Sequence, residues 1–144
     1  KKLAQKVNYH TILFDKIFFK IYTICMGYNM KNLIVYFSWS GNTEKLVRDT
    51  NKKFGFDVER IKRKIPYSSD YNTCAYVEAK EECENKSFPE ISEIDVDYSN
   101  YDNILLFFPI WWYSCPRPVA TFVKNLNGYK GSVCAFANSY TNDP

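Results

Sequence analysis

Histidine is nearly missing from this chain of 144 residues, which holds only His10. A Ser-His-Asp triad or a His-based metal cluster is thereby all but excluded. Five cysteines, Cys25, Cys74, Cys83, Cys115 and Cys134, form no C-x-x-C pair and make an odd total. That argues against a disulfide framework or a zinc site and fits a reducing cytoplasm. Cys115 precedes Arg117 by only two residues, so the C-x-x-x-x-x-R loop of a tyrosine phosphatase is absent and a nucleophilic thiol is not expected. Neither G-x-x-x-x-G-K-[ST] nor G-x-G-x-x-G occurs, which removes the triphosphate and dinucleotide fingerprints.

A basic surplus is missing too, once the charge is divided. The net charge is +3. Residues 1–30 carry five Lys and one Asp, whereas residues 31–144 carry 14 basic and 15 acidic residues. The body is near neutral, so no nucleic-acid surface is expected. The apolar run 12–26 is interrupted by Asp15, Lys16 and Lys20 and falls short of the ~20 residues of a membrane span. It also lacks the small-residue cleavage site of a signal peptide. Lys, Asn, Ile, Phe and Tyr, all specified by AT-rich codons, make up 17 of the first 30 residues. Residues 1–29 therefore read as an upstream extension without a part in function, with a helix docked on the domain as the alternative. Residues 30–144 read as the domain, and the localisation expected is cytoplasmic, with no membrane association.

What is plentiful is apolar and aromatic: 46% hydrophobic residues, with 12 Tyr, 11 Phe and 3 Trp. Such a chain can bury a core, and its aromatic surplus suits the stacking of a flat group, codon bias aside. From residue 33 on, short apolar runs alternate with amphipathic stretches. Residues 33–37 and 104–108 are unbroken apolar runs, as expected of strands buried on both faces of a parallel sheet. Further strands are expected at 57–61 and 131–137, and helices at 43–54, 71–85 and 116–126, with Pro118 confined to a first turn. The order β-α-β-α-β-α-β predicts an α/β, doubly wound open sheet.

Ligands of such folds sit beyond the carboxyl ends of the strands, and three loops follow those ends. Ser38-Trp39-Ser40-Gly41-Asn42-Thr43 offers hydroxyls, an amide and successive backbone N–H groups at a helix start, with no Lys or Arg. That set suits the phosphate of a small cofactor monoester; a plain helix cap would use only one or two of these residues. Pro109-Ile110-Trp111-Trp112-Tyr113 places three adjacent aromatics after a buried strand, where all three cannot turn inward and one should face the cleft. The polar loop after the fourth strand adds Asn138, Ser139 and Tyr140, able to bond or cover a ring edge.

F-S-W-S-G-N-T at 37–43, followed by P-I-W-W at 109–112 with Pro116 and Pro118, resembles the flavodoxin-like proteins, particularly the short bacterial flavodoxin type. The resemblance spans about residues 31–137. It implies a five-stranded sheet of order 2-1-3-4-5 that binds FMN, with Ser38, Ser40, Gly41, Asn42 and Thr43 at the phosphate and Pro109 to Trp112 at the flavin ring. Four strands are legible, so the sequence predicts a sheet truncated after the fourth, with the last strand and helix of the family missing. Tyr113 stands where the family has Gly, at a backbone that turns to meet the flavin N5. A bulky residue disfavours positive φ, so weaker stabilisation of the one-electron-reduced cofactor is expected. The resemblance implies a redox protein carrying electrons between partner proteins, with Asp95, Asp97 and Asp102 as a candidate acidic docking face. The alternatives are an FMN-dependent NAD(P)H reductase acting on quinone-like acceptors and a truncated domain without function.

Overall fold

The computed structural model describes residues 16, 19–23, 25 and 30–139. It divides into two compact units, Lys1–Met30 and Lys31–Pro144. In the first, residues 16, 19–23 and 25 are helical. The remainder concerns the second.

Leu33, Ile34 and Val35 carry no polar side chain on either side of the backbone, so a strand made of them is stable only when covered on both faces. They form the heart of β1 (Asn32–Tyr36), buried throughout. β2 (Asp57–Arg60) and β3 (Asn103–Pro109) flank it, and β4 (Ser132–Asn138) pairs with β3. All pairings are parallel and the order is β2-β1-β3-β4. The expected doubly wound sheet is thus formed, its two central strands being those with unbroken apolar runs. The outer strands are polar or half-exposed, as edges must be to remain wetted.

Alternation along the strands sorts side chains to two layers. Leu33, Val35 and Phe37 join Ile104 and Leu106 on one face, where Val119 and Phe122 complete the core cluster. The latter two belong to α3 (Arg117–Asn125), which starts after Pro116 and holds Pro118 in its first turn. A proline there removes no intrahelical bond. On the other face Phe107 stacks on Phe136 at 4.6 Å. α1 (Asn42–Phe54) buries Thr43, Val47 and Thr50 and ends at Gly55 in the left-handed region, which satisfies the Asn51 carbonyl.

The region expected as one helix at 71–85 is irregular. Residues Thr73–Glu78 wind as a π-helix and continue as the α-helix α2, Ala79–Glu84. Asp70 caps its start by accepting from the backbone N–H and hydroxyl of Thr73, both at 2.8 Å. A partly buried ion pair ties α2 to the segment after β2: Arg63 lies 2.9 Å from Glu82, and the Tyr67 hydroxyl donates to the same carboxylate. The Arg63 guanidinium also covers the Tyr67 ring at 4.6 Å.

Asp102 closes the opposite end of the sheet. Its carboxylate accepts from Lys31 N at 2.7 Å and its carbonyl from Ser132 N at 2.9 Å. Asp97 caps the short 3-10 turn Tyr98–Asn100 just before β3. Both therefore lie at the amino ends of the strands. Seven residues of β3, spanning about 20 Å at ~3.3 Å per residue, separate them from the three loops.

Among the described residues no helix is long and apolar enough to cross a membrane, and no group of three or more His, Cys, Asp or Glu is placed to hold a metal.

Candidate functional site

Parallel strands deliver all their carboxyl ends to one rim of the sheet, and that rim brings the three loops together. The clearest tie is between residues 95 apart in sequence: the Thr43 hydroxyl donates to Asn138 Oδ1 at 3.0 Å. Asn138 also accepts from Ile110 N through its carbonyl, at 3.0 Å. One asparagine at the end of β4 thus joins the loops after β1 and β3.

In the first loop the six residues have unequal parts. The Ser38 hydroxyl, buried, accepts from Gly41 N at 3.1 Å. Thr43 is buried and its hydroxyl proton is committed to Asn138. Ser40 and Asn42 are exposed. Gly41 sits at φ 89°, and no side chain caps the helix it precedes. An α-helix start carries N–H groups without intrahelical partners, and a group with acceptor oxygens can bind there. A side chain at Gly41 would meet nothing within 4 Å, so its glycine is required by φ rather than by space. The Trp39 indole donates to Ser68 O at 3.1 Å and its ring lies 6.1 Å from that of Tyr71.

Arg60 was not legible as part of this loop. From the end of β2 its guanidinium donates to Ser38 O at 2.9 Å and pairs with Glu44 at 3.3 Å. The loop itself lacks a cation, yet one braces it from the neighbouring strand and offsets the one acidic residue in the first turn of α1. The signal lay in its position at a carboxyl end, where parallel pairing with β1 sets Arg60 beside Tyr36.

The second loop divides its aromatics. Pro109 closes β3, paired with Asn138, and Ile110 is exposed. Trp111 turns inward, edge-on to Phe37 and Tyr67 at 5.4 Å each. Trp112 is 39% exposed, and its indole donates to Ala75 O at 2.8 Å. Tyr113 is fully exposed. Trp111 and Ser114 exchange two backbone hydrogen bonds, 2.9 and 2.8 Å, and the residues between them take φ of 46° and 60°. Positive φ at both central residues marks the type I′ turn, whose usual occupants are Asn and Gly. The conformation expected to be avoided at Tyr113 is the one adopted, because the paired hydrogen bonds close the turn and impose it.

Of the third loop, Ser139 is exposed, and Tyr140 lies outside the described residues.

A cavity of about 220 Å³ opens beside the second loop, between Trp39, Trp111 and Trp112 and the π-helical segment with Tyr71, Cys74 and Tyr76. Burial pushes the Cys74 thiol up to about 11, assisted by the charges of Glu78 and Glu82. It is therefore a neutral thiol at physiological pH, consistent with no nucleophilic role. Tyr67, behind Trp111, is raised well above the ordinary phenol value, by burial first and by its bond to Glu82 second.

The family model described as Flavodoxin matches residues 31–143. The chain belongs to the flavodoxin family. Solved structures agree with this flavodoxin assignment. A flavoprotein from Lactobacillus acidophilus, crystallised in complex with FMN, is 30% identical, with a TM-score of 0.70 over 79% of this chain and 78% of that one. A flavoprotein from Bacteroides eggerthii is 29% identical, with a TM-score of 0.70 over 78% of this chain and 73% of its own. One from Bacteroides uniformis is 25% identical, with a TM-score of 0.67 over 78% and 74%. No curated protein matches the chain.

Proposed function

We propose that this flavodoxin-family protein binds FMN at the rim formed by the three loops and carries electrons between partner proteins. The observation that carries the reading is the uncapped start of α1. Ser38 is turned back to hold Gly41, the Thr43 hydroxyl is held by Asn138, and no side chain caps the helix that follows. Neutral donors at a helix N-terminus suit a phosphate monoester, and a phosphate is what FMN would present there. Ser40 and Asn42 would add side-chain donors. Ile110, Trp111, Trp112 and Tyr113 would border the ring, with Asn138 and Ser139 at its edge from the third loop.

Bound flavin supplies the redox chemistry, and the protein's part is position, polarity and exclusion of water. The turn 111–114 fixes the backbone next to the ring, Trp111 is braced by Phe37 and Tyr67, and Asn138 locks the loops to one another. No general acid or base is required from a chain so poor in histidine. A partner protein would have to dock on this rim, since Asp97 and Asp102 lie at the far end of the strands.

The test is a titration of flavin-free protein with FMN and, separately, with riboflavin, followed by visible absorbance. The reading expects tight, saturable FMN binding and much weaker riboflavin binding, because only FMN brings the phosphate. Equal affinity for both would remove the phosphate loop from the argument, and no binding of either would favour a domain without flavin function. The cavity beside Trp112 favours a second reading, an FMN-dependent reductase drawing on NAD(P)H. Steady-state NAD(P)H consumption with a quinone present would favour it over a carrier.

A further inference from the structure

The first two loops of the rim carry no charge of their own: residues 38–43 and 109–116 contain no Asp, Glu, Lys or Arg. What a partner meets there is set by the charges that flank them. Behind the first loop, Glu44 and Arg60 pair at 3.3 Å and cancel. Behind the second loop no such pairing is made. Arg117 is the first residue of α3, and among the described residues neither it nor Lys86 nor Lys124 has a carboxylate within ion-pair distance.

Arg117 and Lys124 are seven positions apart, which puts both on one side of α3, about 10 Å apart along its axis at ~1.5 Å per residue. Phe88 joins them. The Arg117 guanidinium lies 4.7 Å from its ring centroid and the Lys124 ammonium 4.6 Å, while the side chain stays half exposed. Arg117 is fixed further by donating to Ser87 O at 2.6 Å and to Lys86 O at 2.9 Å, with Lys86 itself turned to φ 50°. Two cations held over one ring are already ordered, so a partner that pairs with them has less side-chain freedom to remove. Neighbouring acids do not neutralise the patch. On α2, Glu82 pairs with Arg63 and Glu84 with Lys80, which leaves Glu81; Glu90, two residues past Phe88, pairs with Lys64.

The patch thus combines an apolar seat with three positive charges, next to the loop at which the flavin ring would lie. Its complement is a carboxylate-rich surface with an apolar side chain at the centre. Residues 31–144, with 14 basic and 15 acidic residues, provide no extended basic track of the kind a nucleic acid follows.

We propose that Lys86, Phe88, Arg117 and Lys124 form a docking surface for an acidic partner protein, whose carboxylates pair with the cations and whose apolar side chain covers Phe88. Its purpose rests on the electron-carrier reading, since a partner seated there stands beside the flavin-ring loop; the surface itself requires no FMN.

The probe is the synthetic peptide DEDFDED, with NQNFNQN as its uncharged counterpart. Each is titrated into the isotope-labelled whole chain, with and without FMN, and followed by the protein's amide NMR signals. The expected result is saturable shifts at residues 86–88 and 117–124, with the acidic peptide binding at least about tenfold more tightly than the uncharged one. Affinity should fall as salt rises from about 0.05 to 0.5 M. The double variant Lys86→Glu, Lys124→Glu should weaken binding at least about tenfold. Lys62→Glu with Lys130→Glu removes the same charge from other exposed positions and should weaken it less than about threefold. Phe88→Ser should weaken it by about three- to tenfold. Cooperative urea unfolding and an unchanged amide pattern away from the patch show that each variant is folded. Unsaturable shifts, shifts centred on other residues, or equal effects of the two double variants overturn the proposal. Tighter binding of a short oligothymidine at the same residues would put a nucleic acid in the partner's place and overturn it as well. Peptide binding in a protein that fails to take FMN would sustain the surface and overturn the carrier reading; FMN binding without peptide binding would overturn the surface alone.

Discussion

Replacing Tyr113 by glycine should stabilise the protein. Tyr113 is fully exposed, so its side chain contributes no burial that the substitution would remove. Its φ of 60° lies in the left-handed region, where a residue with a Cβ is disfavoured by roughly 1–2 kcal/mol. Glycine adopts that conformation freely but loses more backbone freedom on folding, which returns about 0.5–1 kcal/mol. The net expectation is a gain of about 0.5–1 kcal/mol, or a rise in Tm of about 2–5 °C for a domain of this size. Tyr113→Ala is the control: it removes the ring while keeping Cβ and strain, and should stay within about 0.5 kcal/mol of the parent. The assay is urea unfolding with unchanged m, so that the midpoint reads stability. A glycine variant no more stable than the alanine one would show that the backbone at Tyr113 is not held at positive φ, and the type I′ assignment would fall.

Three further outcomes are expected. Glu82→Ala should cost about 2–4 kcal/mol in urea unfolding, because it strands the half-buried Arg63 and the Tyr67 hydroxyl together; Glu82→Gln, which keeps an acceptor for Tyr67, should cost less. The raised Tyr67 pKa contributes stability that is complete below the unfolded phenol value of about 10 and is lost as pH rises above it. Urea midpoints at about pH 9 and 11 should accordingly fall further for the parent than for Tyr67→Phe, the other tyrosines contributing equally to both; equal falls would contradict the linkage. Gly131→Ala should be the worst glycine substitution, at about 2 kcal/mol or more, since its Cβ would stand 2.5 Å from the Asp102 carbonyl and clash with the Tyr129 ring. Gly41→Ala, strained by φ alone, should cost about 1 kcal/mol, and thermal unfolding of the pair would expose a reversed order.

The strands were written plainly because burial on both faces demands an apolar residue at every position. The runs 33–37 and 104–108 could therefore be read as central strands without any knowledge of their neighbours. The loops were legible for a related reason: a parallel sheet sends every strand's carboxyl end to one rim, so chemistry-bearing residues at 38–43, 109–113 and 138–139 had to share it. Which of them stay available was decided only in three dimensions. Thr43 finds Asn138 across 95 positions, and Ser38 turns back on Gly41; no local pattern encodes either choice, since each depends on strand order and loop path. Arg60 joined the first loop for the same reason, through its parallel register with β1. The acidic residues before β3 moved the other way, because Asp102 is consumed in closing the amino ends of β1 and β4. The turn at Trp112 and Tyr113 was hidden by its own residues, which lack the Asn-Gly signature that positive φ normally selects. Sequence by itself determined the layer, the order of elements and the rim where function would lie. Tertiary structure decided which donors remain free there, because a hydrogen bond already made inside the fold is unavailable to a ligand.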